Sequence, residues 1–193
     1  MKNIHRFFLQ APTTLTLLVL TIVSLIMNLW VTDVLNANYA ASKFPVPFFI
    51  GQLSFSPEKI KDWYAFMVEH GTLGQYILTQ HIDSLFILST LVLHGVALVL
   101  ISRLFAAGSK ARSVMVACAM LSAIAPIADQ VENLVSYVML ADPAGFPDFL
   151  AYIYSSLAAL KFAMFMFAYL AAPLGLIVGA FMRIKSRNVI QHG

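Results

Sequence analysis

Four long apolar stretches dominate this sequence of 193 residues. They cover approximately 13–36, 73–105, 112–140 and 149–184. A helix needs roughly 20 apolar residues to cross a hydrocarbon core of about 30 Å, so each stretch is long enough to span a bilayer. The chain is 60% hydrophobic and 11% charged, whereas soluble domains average about 45–50% apolar and about 25% charged residues. The sequence therefore predicts an all-α integral membrane protein, an antiparallel four-helix bundle forming one domain over 1–193.

The composition also excludes several classes of function. A net charge of +3 gives no basic stripe, so nucleic acid is not an expected partner. The single cysteine, Cys118, provides neither a disulfide framework nor a thiolate zinc site. Asp83, Asp129, Glu132 and His94 are suitable ligand types, but no H-E-x-x-H or E-x-x-H motif places them for a metal. We expect neither a metal nor a cofactor.

The basic residues are distributed unevenly between the two ends of the predicted spans. Eight of the twelve Lys and Arg residues fall on the side that carries both termini. They are Lys2, Arg6, Arg103, Lys110, Arg112, Arg183, Lys185 and Arg187. By the positive-inside rule, both termini should face the cytoplasm. We expect a bacterial inner membrane, with the lipid bilayer as the first partner.

The connection over residues 37–72 is the largest segment outside the spans and should lie on the outer side. Ser56 and Pro57 are typical of an N-cap and a first helical position, and Gly71 is a typical stop. Apolar residues between them recur at helical spacing, at Ile60, Trp63, Tyr64, Met67 and Val68. The pattern predicts an amphipathic interfacial helix over about 57–70, with its Trp and Tyr at headgroup level. It is either a lid packed over the bundle or a gate for lipid-borne ligands.

Ionisable residues inside the predicted spans are the most informative feature for function. Each costs at least about 2.5–3.5 kcal/mol at mid-span, yet the chain has four, Asp83, Asp129, Glu132 and Lys161. At about 1.5 Å per residue they lie roughly 12–20 Å from the outer ends of their spans. Helical phase places polar companions on the same inward faces. These companions are Asn28, Tyr76, Gln80 and Asn133, with His94 further in, whereas His81 points away.

The charges of these groups do not balance. Three carboxylates and one ammonium, all ionised, would leave a net charge of −2 in a low-dielectric core. We therefore expect at least one carboxyl to be protonated, or a cation to be bound. Lys161 is expected to pair with Asp83 or Asp129. A polar network that only fixes helix register is the alternative.

Two sequence phrases carry a resemblance. Asp129-Gln-Val-Glu132-Asn133 resembles a D-x-x-E-N phrase of uncharacterised bacterial four-span membrane proteins. The segment that runs from Phe55-Ser-Pro-Glu-Lys to Gln80-His81-Ile82-Asp83 resembles the same proteins. This resemblance implies a membrane bundle and no known activity. The topology and the Trp63-Tyr64 helix are also similar to the EXPERA group of sterol isomerases and sterol-binding proteins. That similarity implies that Asp83 and Glu132 correspond to the acidic residues inside the bundle of the EXPERA proteins. The D-x-x-E-N phrase is not part of the EXPERA pattern.

Three classes of function follow from these features. In the first, Asp83, Asp129, Glu132 and Lys161, with Asn28 and Asn133 as orienting groups, bind a small cationic or amphiphilic ligand or carry a proton. In the second, the protein is an enzyme on lipid or isoprenoid substrates, with Asp129 or Glu132 as general acid or base. In the third, it is a structural or assembly subunit, as a homodimer or within a larger membrane complex.

The fourth span carries two further local signals. Gly175 and Gly179 form a small-xxx-small pattern, which we expect to serve packing within the bundle rather than dimerisation. Pro173 in this span, and Pro126 in the third, are expected to kink their helices.

Overall fold

All the regular elements described by the structure are helices. A computed structural model describes residues 12–191, with side chains described through Lys185; Lys2 and Arg6 lie outside this range, as does the side chain of Arg187. The helices are α1 (Thr14–Ala41), α2 (Phe48–Gln52), α3 (Pro57–Glu69), α4 (Leu73–Ser102), α5 (Lys110–Leu121), α6 (Ile124–Ala141) and α7 (Phe149–Gln191). The all-α prediction is confirmed.

Four stretches of helix are long and apolar enough to cross a membrane. They are Thr14–Ala41, Leu73–Ser102, Lys110–Ala141 and Phe149–Lys185. The predicted span ends were less accurate, since α1 runs on to Ala41 and α7 to Gln191. In contrast, α4 stops at Ser102, because the next amides turn back onto carbonyls three residues earlier, as in Arg103 N to Leu100 O at 3.0 Å.

The third span is interrupted where a proline follows. Helix α5 ends at Leu121 and α6 begins at Ile124. Pro126 has no amide hydrogen to donate, and its ring clashes with the carbonyl four residues earlier, that of Ser122. The interruption therefore lies where the proline requires it. Pro173 differs, because it lies inside the continuous helix α7.

The described chain forms two compact units, and every membrane-length stretch contributes a segment to each of them. The polar unit comprises Met27–Ser89 and Ala125–Ala163. The apolar unit comprises the described parts of Met1–Ile26, Thr90–Ile124 and Met164–Gly193. The buried ion pairs and the connection helices lie in the polar unit.

Helix α3 closes one end of the polar unit's core. Ser56 caps it as predicted, with its hydroxyl accepting from the Lys59 amide at 3.3 Å. Its buried face packs on a hydrophobic core built from the neighbouring helices and loops. Core members from α3 are Ile60, Tyr64 and Met67, and the others are Tyr76, Met139, Leu140, Phe146, Ala151 and Tyr154. Helix α3 is thus packed as a lid.

Two details of the predicted α3 stripe are wrong. Tyr64, expected at headgroup level, is 1% exposed, and Val68, expected on the apolar stripe, is 55% exposed. The periodicity identifies the apolar face of a helix but does not say whether lipid or protein covers it. Here protein covers Tyr64, since its ring contacts those of Tyr76 and Phe146 at centroid distances of 6.0 and 6.1 Å.

The glycines of the fourth span pack within the apolar unit, as predicted. An added Cβ at Gly175 would lie 2.8 Å from the Met115 sulfur, and one at Gly179 would lie 2.7 Å from the Leu104 Cβ. Because glycine has no side chain, these two positions let α7 lie close to Met115 and Leu104. The small-residue pattern is therefore used inside the chain.

Gly179→Ala should destabilise the protein. The new methyl group would meet the Leu104 Cβ, which is fixed to the backbone, and overpacking of this kind costs about 1–3 kcal/mol. Gly95→Ala is the matched control, because no atom lies within 4 Å of its added Cβ. Unfolding free energies in bicelles would measure both. Equal stability of the two variants would contradict the packing role.

Candidate functional site

Lys161 of α7 joins two carboxylates of α6. Its Nζ lies 2.7 Å from Asp129 Oδ1 and 2.6 Å from Glu132 Oε2. All three side chains are at most 4% exposed. The expected pairing of Lys161 with Asp129 is confirmed, and the pairing with Glu132 is an addition that the sequence analysis did not make.

The local sequence explains this geometry. Asp129 and Glu132 are three residues apart on a helix, so their side chains lie on one face. Small buried residues on the two helices, Ala128 and Ala158, leave room for the helices to approach. The Lys161 ammonium also lies 5.3 Å from the centroid of the Phe162 ring, which provides a weak cation–π contact.

Asp83 of α4 has a different partner. The Asn133 side-chain amide of α6 donates to its Oδ2 at 2.7 Å. Asn133 is 1% exposed, whereas Asp83 is only half-buried. Of the two expected partners of Lys161, the structure therefore gives Asp129, because Asn133 holds Asp83 and the ammonium lies on Asp129 and Glu132.

The other predicted companions also lie in the polar unit. Asn28 of α1 donates to the Ser89 hydroxyl of α4 at 2.9 Å. Tyr76 and Gln80 are 4% and 6% exposed. Neutral polar groups from α1 and α4 therefore accompany the charged ones, as the helical phase predicts.

Buried tyrosines lie in the same unit as Glu132, and sequence reasoning missed one of them. Tyr154, predicted on the Lys161 face of α7, and Tyr64 of α3 are 3% and 1% exposed. Both interact electrostatically with Glu132, as does Tyr76. Tyr64 was assigned to the membrane surface, and only its place on the α3 stripe could have indicated a buried position.

Apart from Glu132 Oε2, which faces Lys161, two oxygen atoms of Glu132 and Asn133 lack hydrogen-bond partners among the described residues. They are Glu132 Oε1 and Asn133 Oδ1, on side chains that are at most 1% exposed. Leaving a buried polar atom unpaired costs about 1–3 kcal/mol, and more where the group is charged. The site thus has unused acceptor capacity next to its carboxylates.

The two histidines considered in the sequence lie apart from the ion pairs. His81 is exposed and its Nδ1 lies 3.2 Å from the Tyr137 hydroxyl, in agreement with its predicted outward direction. His94 contacts Phe165 and Tyr169 in the apolar unit at ring-centroid distances of 5.9 and 5.5 Å. Within the described part of the chain, no three His, Cys, Asp or Glu residues are placed to hold a metal ion.

No protein family, curated protein or solved structure matches this sequence. The resemblance drawn from the D-x-x-E-N phrase stays a prediction. Two of its residues, Asp129 and Glu132, hold Lys161, and the third, Asn133, holds Asp83.

Proposed function

We propose that this chain is an integral membrane protein that takes up a mobile positive charge, in the first place a proton, at a charge cluster of Asp83, Asp129, Glu132 and Lys161. The four apolar membrane-length helices support the membrane setting. The contacts of the cluster support the uptake of charge.

The observation that carries this proposal is that the cluster holds three carboxyl groups and one ammonium, which contacts two of them. Lys161 is bonded to Asp129 and Glu132, and Asp83 has the neutral Asn133 amide as its partner. With every group ionised, the cluster would carry a charge of −2. A buried, uncompensated charge costs several kcal/mol, so a further positive charge is needed for balance, and a proton on a carboxyl is the smallest one.

Glu132 offers a suitable position for that proton. Its Oε2 faces Lys161, but its Oε1 is buried without a partner. Protonation at Oε1 would neutralise the carboxyl and turn this acceptor into a donor. Asp83 and Asp129 offer further carboxyls, so the proton is shared by a coupled group of sites.

A small cationic or amphiphilic ligand is the second candidate, favoured by the position of Asp83. It is the one carboxylate of the cluster that is only half-buried, and among the described residues its hydrogen-bond donor is Asn133. A cationic headgroup that reached Asp83 would supply the same missing charge as a proton.

The orientation in the membrane is part of the proposal. Arg103, Lys110 and Arg112 lie at or beside the junction of α4 and α5, at the end of α4 opposite its junction with α3. By the positive-inside rule, these basic residues favour a cytoplasmic side for the α4–α5 junction and both termini, with the helices in a bacterial inner membrane. Helix α3 then lies on the other side.

Infrared difference spectroscopy of the protein in lipid vesicles tests the uptake of a proton. Exposed carboxyls are ionised at neutral pH, since their pKa values lie near 4. A protonated carboxyl band that persists at neutral pH and disappears at alkaline pH is expected. The band should be altered by Asp83→Asn, Asp129→Asn or Glu132→Gln.

Asp62→Asn is the matched control, because Asp62 is exposed on α3 and should leave the band unchanged. Absence of a cluster-dependent band at neutral pH would overturn the proton proposal. If the band is absent and a long-chain amine stabilises the wild type but not Asp83→Asn, the cationic ligand is the correct occupant.

A further inference from the structure

A cleft lies between α4 and α5 in the apolar unit. It has a volume of about 430 Å³ and is lined by apolar residues of both helices, among them Val99 of α4 and Ala119 of α5. Val92 on its rim is 40% exposed, so the cleft is open to the surroundings of the helices. Gly95 leaves part of the space unfilled, because no described atom lies within 4 Å of a Cβ added there.

Two arginines lie at one end of this cleft. Arg112 precedes Ala119 by seven residues, about two turns, and therefore lies on the same face of α5. Arg103 follows Val99 by four residues, directly after the end of α4. Leu91, at the other end of the cleft, is roughly 18 Å from Arg103 at about 1.5 Å per residue. The cleft and its basic end thus cover the depth of one leaflet, since the whole hydrocarbon core is about 30 Å thick.

The apolar unit has an unbalanced positive charge. In sequence, its three segments contain eight Lys and Arg residues and none of the nine Asp and Glu residues of the chain. Hydrogen bonds to uncharged groups, such as that from Arg103 to the Pro12 carbonyl oxygen at 3.1 Å, leave the charge in place. The surroundings of the unit therefore have to supply the compensating anions.

The start of α5 adds to the attraction for an anion at this end. Helix α5 begins at Lys110, and the Ser109 hydroxyl caps it by accepting from the Arg112 amide at 3.2 Å. The N-terminus of a helix carries a partial positive charge and favours phosphate groups. This end of the cleft therefore combines a helix N-terminus with two guanidinium groups.

We infer that the cleft binds one acyl chain of an anionic phospholipid, whose phosphate lies on Arg103 and Arg112. Guanidinium groups match phosphate oxygens with two parallel hydrogen bonds, and basic pockets between membrane helices bind anionic headgroups. A chain attached to a headgroup at this place extends into the leaflet that the cleft covers. The inference concerns the apolar unit and does not depend on proton uptake by the charge cluster.

Native mass spectrometry of the full chain, released from a non-ionic detergent, tests the headgroup site. One phosphatidylglycerol should bind about 25-fold more tightly than one phosphatidylcholine with the same chains, a factor of about five for each arginine. Arg103→Gln and Arg112→Gln should each lower this preference about fivefold. Lys59→Gln is the matched control, because Lys59 is exposed on α3, and it should keep the wild-type preference.

Gly95→Leu tests the chain site, because its side chain would occupy the cleft. Phosphatidylglycerol should then bind no more tightly than phosphatidylcholine. Gly74→Leu is the matched control on the same helix, since Gly74 is exposed and a Cβ added there also meets no described atom within 4 Å. Circular dichroism shows whether the variants are folded. If Gly95→Leu is not, Val92→Trp on the exposed rim replaces it.

Equal binding of the two lipids by the wild type would overturn the inference. A preference for phosphatidylglycerol that Gly95→Leu leaves intact would also overturn it. Displacement of the lipid by inorganic phosphate, alike in the wild type and Gly95→Leu, would show an anion site without a chain site. A wild-type dimer that Gly95→Leu converts to a monomer would place a second copy of the chain in the cleft instead of a lipid.

Discussion

Replacing Lys161 by methionine should destabilise the protein by about 3–5 kcal/mol, the usual cost of removing one partner of a buried ion pair. Methionine keeps much of the length and volume of the side chain but removes the charge. Asp129 and Glu132 would then lie together, at most 4% exposed, without a cation. The free energy of unfolding in bicelles measures the effect.

Lys61→Met is the matched control for this substitution. Lys61 lies 2.6 Å from Asp148, as close as Lys161 lies to Glu132, but its side chain is 29% exposed and that of Asp148 is 62% exposed. Exposed pairs contribute about 0–1 kcal/mol. If the two variants lost similar amounts of unfolding free energy, burial would not increase the contribution of the Lys161 ion pairs to stability.

A triple variant distinguishes the effect of unbalanced charge from the effect of lost packing. Adding Asp129→Asn and Glu132→Gln to Lys161→Met removes the two unpaired charges and keeps the side-chain shapes. Most of the lost stability should return, since neutral substitutes for a buried ionic group are often tolerated. If the triple variant stays as unstable as Lys161→Met, the lysine side chain acts by packing alone.

Met67→Ala on α3 should also have a large effect, about 2–5 kcal/mol, as is usual for truncating a fully buried methionine. Met67 has no exposed area and lies in the same hydrophobic core as Tyr64 of its own helix and Tyr76 of α4. The expected loss of unfolding free energy would show that α3 is a packed lid rather than a helix resting on the membrane surface.

Val68→Ala is the control for the effect of an alanine substitution on helix α3 that removes no buried side chain. Val68 follows directly on the same helix but is 55% exposed, and surface substitutions usually change stability by less than about 0.5 kcal/mol. A loss of stability for Met67→Ala no greater than that for Val68→Ala would contradict the lid.

The sequence was sufficient to predict the four apolar helices and the Ser56 cap, because length, hydropathy and capping chemistry are local properties. It also limited the expected partner of Lys161 to Asp83 or Asp129, and the structure gives Asp129. The boundaries were less certain. Hydropathy alone did not locate the helix ends at Ser102 and Leu121, which depend on hydrogen bonding and on Pro126.

The partners of the site depended on distances that periodicity does not contain. Helical phase placed Asp83, Glu132 and Asn133 on inward faces, but it could not decide which of them Lys161 would reach. Asn133 and Glu132 are adjacent in sequence, yet one holds Asp83 and the other Lys161. Tyr64 was missed for a similar reason, since an amphipathic helix looks the same whether it lies on lipid or on protein.

Carbon NMR of the Asp83, Asp129 and Glu132 carboxyl carbons, in labelled protein reconstituted in bilayers, tests the central claim most directly. The resonances are assigned by their loss in Asp83→Asn, Asp129→Asn and Glu132→Gln. At neutral pH, we expect at least one of the three at the position of a protonated acid, moving to the carboxylate position as the pH is raised. Three carboxylate resonances at neutral pH would contradict it.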